Sequence, residues 1–202
     1  MSIRAVYIDL GGVLVRTEFQ APRQHLAERL GMEYEDIVRI VFNSETGRQA
    51  SLGAITETEH WAAVIRRLHL PASHIQTMRD EFFAGDVIDR NLLDFLRGLR
   101  ETLKVGLISN AWSGLRPWIV TNKFDDAFDL MIISAELGIM KPDPRIFQHA
   151  LEQFELAPAE AVFVDDDTEN VEAARALGMH AIHFTRPHQA IGELKQLLNY
   201  PT

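Results

Sequence analysis

Residues 5–14 read AVYIDLGGVL, and this stretch decides the fold. Its first part, Ala5 to Ile8, is a short apolar run without polar alternation, which is typical of a strand buried on both faces. Asp9 follows this run directly. The stretch therefore predicts a sheet strand that delivers a carboxylate to the edge where the ligands of parallel α/β sheets bind.

Similar apolar, β-branched runs recur along the chain, and each is predicted to be a buried strand. They are Lys104 to Ile108, Leu130 to Ile133, Ala161 to Val164 and Ala181 to Phe184. Helix-like segments separate the later runs, for example Asp143 to Phe154, where an Asp suited to the N-cap precedes a Pro suited to the first turn. The alternation predicts an α/β fold, a Rossmann-like parallel sheet core with helices on both faces.

The first two predicted strands are separated by Val15 to Arg100, which is too long for a simple crossover and has no strand comparable to those of the core. Amphipathic helical spacing in it covers Arg23 to Leu30, Glu35 to Phe42 and Glu57 to Leu68. Asp89 to Arg100 is assigned to the helix that returns to the core. We expect an inserted α-helical cap domain, residues 15–86, within a core formed by residues 1–14 and 87–202.

Composition restricts the possible partners. The 20 Lys and Arg residues against 29 Asp and Glu give a formal net charge of −9, which repels a nucleic-acid backbone. Because the chain has no Cys, disulfides and thiolate chemistry are excluded, and a reducing compartment fits. No uninterrupted apolar stretch is long enough to span a bilayer. We predict a cytoplasmic protein without nucleic-acid or membrane partners; the sequence has no signal for an oligomeric state.

Polar groups cluster where the predicted strands end. Asp9 follows the first strand, Ser109 and Asn110 follow the second, Lys141 comes after the third, and the acidic triplet 165–167 follows the fourth. Three consecutive carboxylates repel one another unless a cation is present. Carboxylate, hydroxyl and ammonium groups at one crevice are what a metal-assisted phosphoryl-transfer site requires.

These four motifs resemble those of the haloacid dehalogenase superfamily. The similar segments are DLGGVL at 9–14, Ser109-Asn110, Lys141-Pro142, and Asp165-Asp166 followed by Asn170. The segment AARALGM at 173–179 also looks like the helix and turn that follow the fourth motif in that superfamily. The helical insert resembles the cap that some members carry between the first and second motifs. The resemblance is to the phosphatase-like members and implies hydrolysis of a small phosphorylated substrate.

The resemblance implies a role for each motif in that reaction. Asp9 would attack phosphorus, Ser109 would hold phosphate oxygens, and Lys141 would pair with Asp9 and the transferring group. Mg²⁺, a hard ion that prefers oxygen ligands, would be held by Asp9, Asp166 and the carbonyl of Gly11, with support from Asp165. We therefore expect Mg²⁺ as the cofactor.

Substrate contacts are expected at several positions. Gly11 and Asn110 lie in motifs that border the substrate in the superfamily, and Trp112 follows the second motif closely enough to line the crevice. Arg16 and Arg48, in or near the insert, are candidates to bind a carboxylate or a halide. Cap closure over the crevice would exclude water, with hinges expected near Val15 and Gly85.

The sequence departs from the phosphatase pattern at Gly11, where these enzymes usually carry a second Asp that acts as general acid and base. Its absence predicts a slow enzyme, or a substrate whose leaving group needs little protonation, such as a sugar phosphorylated at its anomeric carbon. Two alternatives stay open. One is a 2-haloacid dehalogenase, because halide leaves without a proton; the other is a binding protein that keeps the fold but has lost turnover.

Overall fold

The computed structural model describes residues 2–199. Its strands in chain order are Ala5–Ile8 (β1), Val15–Thr17 (β2), Asp86–Ile88 (β3), Lys104–Ser109 (β4), Leu130–Ile133 (β5), Ala161–Asp165 (β6) and His180–His183 (β7). Its α-helices are Ala21–Arg29 (α1), Tyr34–Val41 (α2), Glu45–Ser51 (α3), Glu57–Arg67 (α4), Ile75–Phe83 (α5), Arg90–Leu99 (α6), Leu115–Thr121 (α7), Ser134–Leu137 (α8), Pro144–Gln153 (α9), Thr168–Ala176 (α10) and Pro187–Leu197 (α11).

The main sheet has the strand order β5-β4-β1-β6-β7, and its neighbouring strands run parallel. β1 lies in the middle of this order, with Ile8 paired to Leu107 on one side and Val164 on the other. Apolar residues alternate between the two faces of the central strand. Val6 and Ile8 pack into one hydrophobic cluster, whereas Ala5 and Tyr7 pack into another.

Helices cover both faces of this sheet, as the sequence predicts. On one face, α6 and α11 supply leucines such as Leu93, Leu96 and Leu194 to the first cluster. On the opposite face, α9 packs through Phe147 and Ala150. The predicted α/β fold with a parallel Rossmann-like core is therefore confirmed.

The insert between β1 and α6 has its own hydrophobic cluster, built by helices α1, α2, α4 and α5. Its buried members include Ile37, Trp61, Val64 and Phe82. Because this cluster is distinct from the two clusters of the sheet, we propose that residues 15–86 form a cap domain on the core.

Two short strands that the sequence did not predict lie where the chain enters the insert and where it returns to the core. β2 pairs antiparallel with β3, with Val15 opposite Ile88, and the Thr17 hydroxyl donates to Asp86 Oδ1 at 2.7 Å. Each strand has three residues and is only partly buried, so no apolar run marks it. This ribbon contains Val15, and its second strand directly precedes α6. We therefore still propose that the hinge lies where the insert leaves the core.

Predicted and observed helices agree within about two residues where amphipathic spacing was clear, as in α4 and α6. Helix α3 was not predicted, because Gly47 and small polar residues interrupt any apolar stripe in its seven residues. Within residues 2–199, the helices are too short or too polar for any of them to cross a bilayer.

Candidate active site

The parallel register brings three predicted site residues to one edge of the sheet. The backbone N–H of Asp9 donates to the carbonyl of Val164 at 2.9 Å, so Asp9 lies beside Asp165. Ser109 is the last residue of β4, the strand on the other side of β1. All three residues are buried, with exposed fractions of 8% for Asp9, 3% for Ser109 and 0% for Asp165.

Lys141 joins the two carboxylates. Its Nζ lies 2.9 Å from Asp9 Oδ1 and 2.6 Å from Asp165 Oδ2, and the residue is 2% exposed. It reaches this position from a loop that follows α8, a single helical turn after β5. A buried ammonium between two buried carboxylates holds both in place, and removal of Lys141 would leave both carboxylates without a counter-charge.

Asp165 is held by further donors besides Lys141. The Asn170 side-chain amide donates to both of its carboxylate oxygens at 3.2 Å, and the backbone N–H of Asp167 donates to Oδ1 at 2.7 Å. Asp166 next to it is exposed, and its carbonyl lies 3.0 Å from His183 Nε2. Asp165 is therefore the anchored carboxylate of the pair, whereas Asp166 presents its side chain toward the crevice.

Burial and mutual repulsion shape the charges at this site. Desolvation raises the pKa of Asp9 to about 6, opposed by the nearby ammonium of Lys141 and reinforced by the charge of Asp165. Desolvation also raises the pKa of Asp166, and the Asp165 charge adds to it. Burial by itself would lower the pKa of Lys141, but the two carboxylates outweigh burial and raise it.

The donor set at this edge suits a hard divalent cation. Carboxylate oxygens of Asp9, Asp165 and Asp166 lie within 4.8 Å of one another. Three carboxylates face the single ammonium of Lys141, and within residues 2–199 no donor has hydrogen-bond geometry toward the buried Asp9 Oδ1, despite the proximity of that ammonium. A Mg²⁺ ion would balance the excess negative charge with the oxygen ligands that it prefers.

The two glycines after Asp9 serve different purposes. Gly12 has φ +76°, and a Cβ added there would lie 2.1 Å from Asp166 Oδ2. A Cβ at Gly11 would meet no atom within 4 Å. Gly12 therefore admits the Asp166 carboxylate to the site, and Gly11 leaves open space where related phosphatases are expected to carry an acid.

We expect Gly12→Ala to lower the free energy of unfolding by about 1–3 kcal/mol, the usual cost of a strained backbone, and also to weaken Mg²⁺ binding. The matched control is Gly31→Ala, since Gly31 has φ +66° and no atom within 4 Å of an added Cβ. The control should lose stability alone. Urea unfolding and Mg²⁺ titration of both variants measure the difference; equal Mg²⁺ affinities would mean that the Asp166 contact is unimportant.

The structure places Arg16 in a structural network. Its guanidinium donates to the Val13 carbonyl, to Glu18 Oε1 at 2.9 Å and to Asp89 Oδ2 at 3.0 Å. These bonds tie β2 to the start of α6. They also engage the guanidinium that the sequence suggested as a substrate contact. Arg48 is an exposed residue of α3.

Trp112 and Asn110 also have protein partners. The Trp112 indole N–H donates to the carbonyl of Gly47 in the insert at 3.2 Å, and its ring packs 4.6 Å from that of His60. Trp112 therefore connects the loop after β4 to the insert. The side-chain amide of Asn110 bonds to the backbone of Lys141 at both ends.

Sequence reasoning left the supporting residues of the site without a role. Asn170 was noted only as part of a motif, although its amide holds Asp165. Asp167 caps α10 through Glu169 N–H, and its own N–H supports Asp165. Gly12 carried the clearest signal that could have been used, because a glycine pair that follows a site carboxylate after one residue favours a backbone that other residues rarely adopt.

Comparison with known proteins places these features in a family. Residues 3–178 match the haloacid dehalogenase-like hydrolase family. Sesquiterpene phosphatase astK of Aspergillus oryzae is 29% identical over 199 residues, which cover 98% of this chain and 97% of that protein. Acyl-CoA dehydrogenase family member 10 of Mus musculus is 40% identical over 100 residues, but these cover 44% of this chain and only 9% of the mouse protein.

A solved structure with the same fold contains ligands. The wild-type HAD family enzyme bt-2542 of Bacteroides thetaiotaomicron, in complex with magnesium and inorganic phosphate, superposes with a TM-score of 0.76 at 26% identity. The match covers 91% of this chain and 95% of that chain. Since the family match extends over most of the sequence and includes the strand-end motifs, the protein belongs to the haloacid dehalogenase-like hydrolases.

Proposed function

We propose that this hydrolase is a Mg²⁺-dependent phosphomonoesterase that acts on a small phosphorylated metabolite through an aspartyl-phosphate on Asp9. The observation that carries the proposal is the buried Lys141 ammonium between Asp9 and Asp165, beside a third carboxylate at Asp166. A relative named as a phosphatase and a fold neighbour with bound magnesium and phosphate support the same assignment.

In the first step, the Asp9 carboxylate attacks phosphorus, and the bond between phosphorus and the ester oxygen breaks. Lys141 keeps Asp9 oriented and offsets its charge, so that two anions can approach each other. Ser109, at the end of the neighbouring strand, donates to a phosphate oxygen. The leaving oxygen takes its proton from water, because Gly11 has no side chain that donates one.

In the second step, water attacks the phosphorus of the aspartyl-phosphate, which releases inorganic phosphate and regenerates the Asp9 carboxylate. Asp9, Asp166 and the Gly11 carbonyl would hold Mg²⁺, while Asp165 anchors Lys141. When bound, the ion supplies charge neutralisation for the phosphate oxygens. The protein groups supply orientation of the reacting atoms.

The missing acid at Gly11 makes a substrate with a good leaving group the better fit. A sugar phosphorylated at its anomeric carbon meets this condition, because its leaving oxygen needs less protonation than that of a simple alkyl phosphate. An allylic or prenyl-type phosphate is the second class to test, since the fungal relative is named as a sesquiterpene phosphatase.

Gly11→Asp is expected to raise kcat for alkyl phosphates by about 10²-fold, the lower end of what a general acid contributes. Space for the side chain is present, and the Gly11 backbone is outside the left-handed region. Aryl phosphates with good leaving groups should gain little. Gly11→Asn has the same size but no titratable proton, so an equal gain in that variant would contradict an acid–base effect.

The occupied guanidinium of Arg16 disfavours the dehalogenase alternative, which needs a cation for the substrate carboxylate or the halide. The three-carboxylate cluster disfavours it further, since these charges would repel an anionic haloacid substrate in the absence of a metal ion.

We also propose a cytoplasmic location, which is compatible with a chain that has no cysteine.

The proposed function is tested by phosphate release from an aryl phosphate, anomeric and terminal sugar phosphates, and prenyl-type phosphates, each with Mg²⁺ or with chelator. We expect release that requires Mg²⁺ and differs between the substrate classes. Release in chelator would remove Mg²⁺ from the proposal. No release from any substrate by a folded protein would favour the binding-protein alternative.

A further inference from the structure

We infer that Asn110 is a positioning residue that acts through Lys141 rather than a substrate contact. This inference rests on the proposed phosphatase function for its kinetic test. Both polar ends of the Asn110 side chain bind the Lys141 backbone: Nδ2 donates to the Lys141 carbonyl at 2.8 Å, and Oδ1 accepts from the Lys141 N–H at 2.8 Å.

The chemistry of the two bonds fixes the orientation of the amide. A backbone N–H can only donate and a carbonyl oxygen can only accept, so Oδ1 must face the first and Nδ2 the second. A flipped Asn110 amide would lose both bonds. One N–H and one oxygen lone pair of the amide are thus used on the Lys141 backbone, and these two bonds hold the side chain in one orientation.

We call these two hydrogen bonds between the Asn110 amide and the Lys141 backbone the clamp. The clamp matters because Lys141 holds the carboxylate of Asp9. Asn110 follows Ser109 at the end of β4, and Lys141 lies 31 residues later in the loop after α8. The clamp is a direct link between these two active-site loops. Lys141 is 2% exposed, and its ammonium is shared between Asp9 at 2.9 Å and Asp165 at 2.6 Å. A small shift of the Lys141 backbone would favour the shorter contact with Asp165 and draw the ammonium away from Asp9.

Loss of the clamp should therefore reduce the rate of phosphoryl transfer more than the binding of substrate. A misplacement of about 1 Å costs up to about 10²-fold in rate, so we expect Asn110→Ala to lower kcat by roughly 10- to 10²-fold with KM nearly unchanged. A direct substrate contact would instead raise KM and weaken the binding of inorganic phosphate.

The experiment is a double-mutant cycle on the full chain with an aryl phosphate and Mg²⁺, in which Asn110→Ala is combined with Lys141→Met. If Asn110 acts only through Lys141, its loss has no further effect on kcat/KM once Lys141 is gone. A full additional loss in the Lys141→Met background would overturn the inference. So would an Asn110→Ala variant that retains the parent kcat, or one whose loss lies in KM.

Asn122→Ala is the matched control, because Asn122 also uses its amide on a backbone carbonyl, that of Trp118 at 2.9 Å, but on the exposed end of α7. It should retain the parent kcat. If Asn110→Ala does not fold, Asn110→Ser is the uncharged substitute, because its shorter side chain cannot bond both the N–H and the carbonyl of Lys141, and it should show the same fall in kcat with KM nearly unchanged.

A crystal structure of the foldable Asn110 variant separates this inference from the proposed function. If the parent hydrolyses no phosphate ester, the phosphatase proposal fails while the positions of the atoms still decide the role of Asn110. Displacement of Lys141 Nζ away from Asp9 supports the clamp. An ammonium that keeps its parent position between Asp9 and Asp165 overturns it.

Discussion

Replacement of Asp9 by Asn should abolish turnover while the fold is kept. The amide has nearly the same shape as the carboxylate but is not a nucleophile, so no aspartyl-phosphate can form. We expect kcat to fall by about 10⁴- to 10⁶-fold, the size of loss that follows removal of a catalytic nucleophile. The measurement is phosphate release with Mg²⁺ from the best substrate of the panel, with acid-quenched parent protein checked for covalent phosphate.

The same variant has a stability signature. Burial raises the pKa of Asp9 from 3.8 to about 6, so the folded state binds the proton more tightly than the unfolded state. An acid with a raised folded pKa costs stability as pH rises from the unfolded to the folded value, and the cost is complete above it. Without Mg²⁺, Asp9→Asn should therefore melt at or above the parent temperature at pH 8.

Two results would contradict this account of Asp9. Activity within tenfold of the parent would remove Asp9 from the nucleophile role. A large fall in melting temperature would mean that Asp9 is needed for the fold, and the kinetic loss could then not be assigned to chemistry. Circular dichroism and thermal melts in chelator provide the second measurement.

Replacement of Lys141 by Met is expected to give the largest loss of stability. Met fills a similar volume but leaves the buried carboxylates of Asp9 and Asp165 facing each other without a counter-charge. Breaking a buried ion pair in this way costs about 3–5 kcal/mol. For a domain of this size, that corresponds to a fall of roughly 6–20 °C in melting temperature. The rate of hydrolysis of an aryl phosphate should fall strongly as well.

Two measurements identify the cause of this loss of stability: its dependence on pH and the effect of a second substitution. Without Lys141 the pKa of Asp9 rises further, because the ammonium is what lowers it. Protonation then relieves part of the repulsion, so the loss of stability should be smaller at pH 5 than at pH 8. Addition of Asp9→Asn to Lys141→Met should restore part of the lost stability, since one buried charge is removed.

The matched control is Lys104→Met. Its ammonium lies 4.0 Å from Asp129 Oδ1 on the surface, with a side chain that is 60% exposed. An exposed pair of this kind contributes little, so the control should stay within about 0.5 kcal/mol of the parent. If the two Lys variants melt together, the buried position of Lys141 is not what stabilises the fold.

Much of the fold was readable because its signals are local. Short apolar runs marked the strands of the main sheet, and capping residues marked helices such as α9. The β2 and β3 ribbon was not readable, because three partly buried residues form a strand only when a partner segment, here about 70 residues away along the chain, comes beside them. Helix α3 was hidden for a similar reason, since Gly47 packs against the carbonyls of Val41 and Phe42.

The residues of the candidate site could likewise be predicted only in part. From the sequence alone, Asp9, Ser109, Lys141 and the acidic pair are predicted as its chemical groups, because each lies at or near the end of a strand and parallel strands bring their ends to one edge. Only the tertiary structure decided how the neighbouring polar residues are used. The amide of Asn110 is engaged 31 residues away, the indole of Trp112 by a carbonyl 65 residues away, and the guanidinium of Arg16 by Asp89, 73 residues away. Such bonds depend on the path of loops and on the docking of the insert, and no local pattern of side chains encodes those distances.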